Sequence, residues 1–342
     1  MTRKAVSVNW GIVGTGTVTR QFCLQLRKVK DAAIQHVSGT DNNKASLFAR
    51  DFHAPNCSAD IHDLLADELV DIVYVSSPTR FHAEHAMATL TASKHLVCEK
   101  PFVTDAKIFE EICKLSKERQ LFCMEGMWMR FNPLIQEARK VVMSNEIGDI
   151  KYIEIEIGYP KSKRRLKDPS RGPIWDFAVY GLSLIQYLVG RPDQVHSVSV
   201  TPKNCCSPGT ISVVLGKGDT VSTLTSSVEI GLSNRAKIVG TQGILELGPQ
   251  FFCPEFLRCN KPIFPRSAWR DLAAKLERRL FGEQSLESGH QLTTSIEQGF
   301  YFQAEHATKA ILRGSKESSI QPLKDTLEVI ELAQALYPDM ME

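Results

Sequence analysis

No stretch of the chain approaches the ~20 consecutive apolar residues that a membrane-spanning helix needs. No two of its nine cysteines form a Cys-x-x-Cys pair; they stand at 23, 57, 98, 113, 123, 205, 206, 253 and 259. An odd count at irregular spacing argues against a disulfide scaffold and fits reduced, mostly buried thiols. Large net charge is also missing. The 41 Lys and Arg residues against 39 Asp and Glu leave +2, so nothing draws the whole molecule toward nucleic acid or an anionic membrane. The only compact histidine pair is His82 and His85, and no adjacent Cys or carboxylate pattern completes a metal site around it. Internal repeats and low-complexity linkers are absent. Arg3 and Lys4 precede a run that Ser7 and Asn9 interrupt, which suits a first strand better than a signal peptide. The expectation is a cytoplasmic protein without metal, membrane or nucleic-acid partner.

What is present is enough for two domains. The chain has 342 residues, 43% of them hydrophobic, and the first third alternates strand-like and helix-period segments. Val6, Val8, Trp10, Ile12 and Val13 read as a strand ending in glycines, and Val18, Phe22 and Leu26 then mark one helix face. Ile34–Ser38, Val70–Val75 and Leu96–Cys98 read as further strands, with helices over 44–52, to about 92, and from about 105 to 119. That alternation predicts a doubly wound parallel sheet, an α/β Rossmann-type domain over 1–122. Beyond residue 150 the texture changes. Tyr152–Gly158 alternates strictly, and strand-like runs at 195–201, 210–215, 220–229, 236–240 and 244–247 predict a large, mainly antiparallel open-faced sheet. Helices are expected over 267–281 and 291–312. A last amphipathic helix at about 325–337 could pack back on the first domain. The second domain, 123–342, is therefore α+β.

Gly14-Thr15-Gly16 closes the first strand and opens the first helix. There a first glycine permits the turn and a second lets a pyrophosphate approach the helix N-terminus, beside Thr17 and Val18. The third position of the motif is Thr19 instead of Gly. Gly216-Lys217-Gly218 repeats the Gly-x-Gly pattern in what reads as a hairpin, so position, not composition, singles out Gly14–Gly16. The end of the second strand selects the cofactor. Asp41 there would hold a ribose 2′-hydroxyl and favour NAD, or it caps a helix. A strand ending at Ser38, Gly39 and Thr40, with Lys44 nearby, suits a 2′-phosphate.

Four later segments carry a family pattern: Ser76-Ser77-Pro78-Thr79-Arg80-Phe81-His82, Cys98-Glu99-Lys100-Pro101-Phe102, Met124–Pro133 (MEGMWMRFNP) and Trp175–Gly181 (WDFAVYG). With the glycine turn, they resemble the glucose-fructose oxidoreductase, inositol dehydrogenase and MocA family of sugar and polyol oxidoreductases, from about Asn9 to Leu336. Ser38-Gly39 resembles the glucose-fructose oxidoreductases themselves. Glu125–Trp128 and Trp10-Gly11 resemble the dimeric dihydrodiol dehydrogenases. Both of those use NADP and place a tyrosine, here Tyr180, where many relatives carry histidine. Thr79 departs from the latter group, which has a histidine there.

The resemblance implies NADP(H) in preference to NAD(H), held by Gly14, Thr15, Gly16, Thr17, Val18, Ser38, Gly39, Thr40, Ser76, Pro78, His82, Glu99, Lys100, Trp128 and Arg130. It implies hydride transfer with a sugar, cyclic polyol or vicinal diol. Tyr180 would exchange the proton, helped by the Lys100 ammonium, because a free phenol titrates near 10. Asp176, four residues before Tyr180, would orient hydroxyls or balance Lys100; equally, it could be a helix N-cap with Trp175 and Tyr180 as a hydrophobic staple. Trp128 would wall the pocket or belong to the core. Arg130 would hold cofactor or tie the domains, and His82, at a helix start, would position the cofactor or cap the turn. The basic run Lys161, Lys163, Arg164, Arg165, Lys167 and Arg171 reads as a solvated loop, or as a cover that attracts an acidic or phosphorylated substrate. The partner expected besides substrate is a second copy, through the open sheet. The competing function is a non-catalytic dinucleotide sensor with the same fold.

Overall fold

The computed structural model describes residues 7–162, 168, 170–201, 203–204, 207–260 and 299–336. The helix expected at 267–281, the start of that at 291–312 and the middle of the basic run lie outside them.

Six parallel strands form the first sheet in the order β3-β2-β1-β4-β5-β6. They are β1 Val8–Val13, β2 Ala32–Ser38, β3 Asn56–Ser58, β4 Ile72–Val75, β5 His95–Glu99 and β6 Cys123–Gly126. The helices between them are α1 Thr17–Leu26, α2 Asn42–Phe52, α3 Ile61–Ala66, α4 His82–Thr91 and α5 Ala106–Glu118. Central β4 is buried at all four positions, as a strand covered by helices on both faces must be, which is why its sequence is continuously apolar. Chain order reverses between β1 and β4, and a crevice opens there at the strands' carboxyl ends. β6 pairs in parallel with β5 from Cys123 to Gly126, so the sheet runs past residue 122. Short, polar β3 and six-residue α3 carry too little periodicity to be read from sequence.

After α6 (Pro133–Met143) the second sheet runs β15-β14-β13-β7-β12-β11-β8. Its strands are β7 Ile150–Gly158, β8 Gln194–Val200, β11 Thr210–Lys217, β12 Thr220–Ser227, β13 Ala236–Gly240, β14 Ile244–Gly248 and β15 Phe256–Asn260. A two-residue ladder, β9 Lys203–Asn204 with β10 Ser207–Pro208, stands apart. The sheet is mixed, because β7 and β12 run parallel while the other neighbours are antiparallel. The alternation of β7 has the expected consequence: Ile153, Ile155 and Ile157 are buried, and Glu154 is exposed. Helix α7 (Val179–Val189) covers that apolar face and is itself buried all round through Leu188. Gly216–Gly218 is the hairpin between β11 and β12.

The last two helices join the halves. Helix α8 (Gly299–Leu312) packs on α1, and α9 (Leu323–Leu336) packs on α5, β6 and α7. The chain end thus returns to the first domain, and one hydrophobic core is continuous through both. Among the described residues, no helix is long and apolar enough to cross a membrane.

Candidate functional site

A cleft of about 1400 Å³ lies along the carboxyl ends of β1, β2, β4 and β5 and is closed on its far side by residues of the second domain. Its first end is the glycine turn. Gly14 has φ +113°, and a Cβ there would lie 3.0 Å from the Ser76 carbonyl oxygen. Gly39 lies against the same turn, where a Cβ would meet the Thr15 Cγ2 methyl at 3.0 Å. Helices α2, α3, α5 and α6 are capped by the side chains of Asp41, Asp60, Asp105 and Asn132. Helix α1 has no side-chain cap and no acid in its first turn, so its opening N–H groups and positive dipole end face the cleft. A cradle that a Cβ would fill, beside an uncapped helix start, fits a dinucleotide pyrophosphate.

Thr19, the irregular member of the motif, is fully buried. Its hydroxyl bonds Ser76 Oγ at 2.8 Å, and Ser76 Oγ in turn donates to the Val13 carbonyl at 2.9 Å. The residue therefore ties α1 to β4 instead of holding the helix away. Asp41 has the capping role among its alternatives, accepting from the Lys44 N–H at 2.8 Å. Ser38, Gly39 and Thr40 line the cleft at that edge, together with Asp60, whose carboxylate is also a cap, on the His62 N–H.

At the other end, Lys100 follows β5 and Tyr180 lies in the first turn of α7. Lys100 Nζ donates to the Asp176 carbonyl at 2.8 Å and sits 4.2 Å from the centroid of the Tyr180 ring. The ammonium is thus over the ring face and not on the hydroxyl. The Tyr180 hydroxyl instead accepts from Trp128 Nε1–H at 3.1 Å. Burial, then the nearby Glu99 carboxylate, pushes Tyr180 well above a phenol's usual value. The desolvation of a buried phenolate is the largest influence on it, and the Lys100 ammonium expected to assist it lies over the ring instead of on the hydroxyl. Lys100 is itself lowered to about 8 by burial, against the raising influence of Asp176 and Glu99. Glu99 is 7% exposed and accepts from Tyr74 Oη at 2.6 Å; burial raises it to about 7.

Asp176 is not a helix N-cap. It lies inside a π-helical turn, Pro173–Ala178, whose capping position is Gly172. Its Oδ1 accepts from Arg171 Nη1 at 2.8 Å and its Oδ2 from the Gly172 N–H at 3.2 Å. Wider π turns of this kind recur at functional sites. Its main-chain carbonyl, not its carboxylate, meets Lys100.

The structure brings Gly14, Thr15, Gly16, Thr17, Val18, Ser38, Gly39, Thr40, Ser76, Pro78, Glu99, Lys100, Trp128, Asp176 and Tyr180 to the cleft surface. Two expected cofactor residues lie elsewhere. His82 is buried, with Nδ1 on the Pro101 and Phe102 carbonyls and Nε2 on that of Ser77, so it braces the turn after β4 against the turn after β5. His85, its companion in the histidine pair, bonds Ser77 Oγ instead. Arg130 is fully buried; it bonds Ser183 and Gln186 of α7 and pairs with Asp325 of α9 at 2.5 Å. Of its two expected roles, it has the tie. Sequence reasoning missed Phe177, Phe252 and Phe300, which line the cleft beside Tyr180. Phe252 stacks on the Tyr180 ring at 5.2 Å, and only its Phe251-Phe252 doublet after β14 was visible in the sequence.

The family model described as "Oxidoreductase family, NAD-binding Rossmann fold" matches residues 8–127, and the GFO/IDH/MocA C-terminal domain model matches 135–246. Curated relatives include the trans-1,2-dihydrobenzene-1,2-diol dehydrogenases of Xenopus tropicalis and Homo sapiens. Each is 24% identical over 331 residues, covering 94% of this chain and 94% and 93% of those proteins. Among solved structures, levoglucosan dehydrogenase in complex with NADH and levoglucosan superposes with a TM-score of 0.81 at 16% identity, over 98% of this chain and 97% of that one. A 3-ketoreductase from Actinomadura kijaniata in complex with NADP gives 0.77 at 18%, over 96% of both. At that identity the structures speak for the fold alone. The two family models, in order and across most of the chain, show that this protein belongs to the glucose-fructose oxidoreductase, inositol dehydrogenase and MocA family of oxidoreductases.

Proposed function

We propose that the protein transfers a hydride between a nicotinamide dinucleotide and a carbinol or carbonyl carbon of a vicinal diol, cyclic polyol or sugar. The carrying observation is the meeting of Lys100, Tyr180 and Trp128 at the end of a cleft that begins in the glycine cradle. Bound there, the nicotinamide supplies or accepts the hydride, and the protein must manage one proton on the substrate oxygen.

In carbonyl reduction, Tyr180 Oη donates that proton. Because Trp128 Nε1–H already donates to this oxygen, the Tyr180 hydrogen is turned away from the indole and toward the cleft. Its raised pKa keeps the proton in place until the oxygen becomes basic. The Lys100 ammonium, partly screened from water, lies close enough to stabilise the developing alkoxide. The Asp176 carbonyl fixes its position. The aromatic rings beside Tyr180 exclude water.

The cofactor favoured is NADP(H). Asp41 and Asp60, the carboxylates near the end of β2, are occupied as helix caps, which leaves a small, hydroxyl-bearing edge at Ser38–Thr40 for a 2′-phosphate. The face of the second sheet opposite α7 supports a homodimer. Its register aligns Val221, Tyr152, Val239 and Ile244 in one apolar row, flanked by Glu154, Lys237, Glu246 and Arg258 in alternating sign. Such a row is self-complementary in a two-fold pairing. The test of the function is NADPH oxidation at 340 nm over a panel of cyclic and sugar ketones. Turnover with at least one supports it; tight dinucleotide binding without turnover across the panel favours the sensor.

A further inference from the structure

Trp128 opens the 3-10 turn Trp128–Phe131 after β6. Two residues on, Arg130 bonds Ser183 and Gln186 of α7, the helix that carries Tyr180. The indole packs 5.2 Å from the Phe300 ring and meets Phe252 edge-on at 5.9 Å. Gly299, at the start of α8, leaves the room for it: a Cβ there would lie 2.6 Å from Trp128 Cζ3 and closer still to Cε3. Seat and clamp together fix where the one polar atom of the indole points. Its Nε1–H meets the Tyr180 hydroxyl at 3.1 Å, with each residue 7% exposed. Among the described residues, no other hydrogen bond reaches that hydroxyl.

An indole nitrogen is a donor and never an acceptor, so the Tyr180 oxygen accepts from Trp128 both before and after it gives up its proton. When that proton passes to a substrate oxygen, the phenol O–H bond breaks and its electron pair stays on Oη as a phenolate charge. The surroundings oppose that charge. Burial pushes the phenol well above its usual value, and the Glu99, Glu125 and Asp176 carboxylates act in the same direction, while the Trp128 bond acts in the opposite one. Lys100 lies over the ring face, Arg171 is paired with Asp176, and Lys161 stands over the Phe177 ring. A hydrogen bond to an ionised acceptor is roughly twice as strong as one to a neutral acceptor, so the indole N–H holds the phenolate more tightly than the phenol. An interaction that strengthens as the reaction proceeds is what lowers a barrier.

We infer that Trp128 is a further catalytic residue, whose Nε1–H stabilises the Tyr180 phenolate as the substrate oxygen takes the proton, and that Gly299 is the positioning residue that seats the indole for it. The inference rests on the proposed hydride transfer. Its test is a double-mutant cycle in single-turnover reduction, with NADPH, of the ketone that the wild type reduces fastest. Trp128→Phe keeps a ring and loses the N–H; it should slow reduction by about ten- to a hundredfold, the scale of a hydrogen bond to a charged group. In Tyr180→Phe the same substitution should change the rate by less than about twofold, because the phenolate it serves is gone. Equal slowing in both backgrounds is the mark of packing alone and overturns the inference. Gly299→Ala should follow Trp128→Phe in both backgrounds, and turnover at the wild-type rate would remove Gly299 from the account. NADPH affinity near that of the wild type in each variant shows the cleft intact. The indole N–H resonance of isotope-labelled protein, identified by its loss in Trp128→Phe, gives a reading that needs neither turnover nor a folded Trp128 variant at high yield. It should move upfield in Tyr180→Phe, and an unmoved resonance overturns the inference. If the wild type reduces no ketone, the hydride-transfer reading fails, and this resonance decides whether the indole donates to Tyr180.

Discussion

The ammonium of Lys100 sits 4.2 Å above the ring of Tyr180 while the hydroxyl of that tyrosine is held by the Trp128 indole. A direct lysine–phenol hydrogen bond would merge two jobs that the proposed reaction needs apart: the proton on Tyr180 and the charge on Lys100.

That separation sets a pH dependence. Burial lowers Lys100 from 10.5 to about 8, so it is an ammonium below that pH and loses its charge above it. Carbonyl reduction, which uses the charge, should fall by about tenfold per pH unit above roughly pH 8 in a kcat/KM profile. Glu99→Gln removes a carboxylate that holds the Lys100 value up, so its falling limb should appear at lower pH. A limb near 10.5 in both proteins would contradict the assignment.

Cofactor choice is a question of one edge. Gly39 adjoins Ser38 at the end of β2, and a Cβ there would press on Thr15. Gly39→Asp would set a fixed carboxylate against a 2′-phosphate. Titration should show the affinity for NADPH falling by about a hundredfold relative to that for NADH, the scale of a like charge at contact in a partly desolvated site. An unchanged ratio would place the ribose elsewhere.

Arg130 tests the joint between the domains. It is fully buried, and its charge is answered by Asp325, which is 27% exposed on its side chain. Arg130→Met should cost about 3 kcal/mol, because the Ser183, Gln186 and Asp325 groups lose a charged partner. Urea unfolding would read that loss. Dinucleotide affinity should change far less, since the guanidinium does not line the cleft.

The sheet face opposite α7 predicts a dimer by light scattering at micromolar protein. Val221→Lys, placing a charge in its apolar row, should shift the mass toward the monomer. A wild-type monomer would remove that reading.

The parts of the site carried by contiguous residues were legible in the sequence. A glycine turn between an apolar strand and an amphipathic helix announces its own geometry, and Glu99-Lys100 at a strand end announces a place on the cleft wall. What the sequence withheld depended on long-range packing. Asp176 and Tyr180 at a four-residue spacing predict one helix face, but a π turn redirects the Asp176 carboxylate to Arg171. Arg130, beside Trp128 in sequence, points into α7 and α9 and not into the cleft. His82 looked available for a ligand because nothing local shows that three carbonyls from two turns surround it. Phe252 and Phe300 reach the site from elements far along the chain, where a phenylalanine reads as core. The parallel pairing of β7 with β12 was hidden for the same reason, since alternation fixes a face but not a neighbour.

The central claim is that Lys100 and Tyr180 act on the substrate in a dinucleotide cleft that stands without them. It is tested most directly by single-turnover reduction with NADPH in wild type, Lys100→Met and Tyr180→Phe, with NADPH affinity measured on the same samples. The account predicts NADPH bound by all three proteins, and hydride transfer slowed by about 10²–10⁴-fold in each variant. Hydride transfer at the wild-type rate in both variants would contradict it.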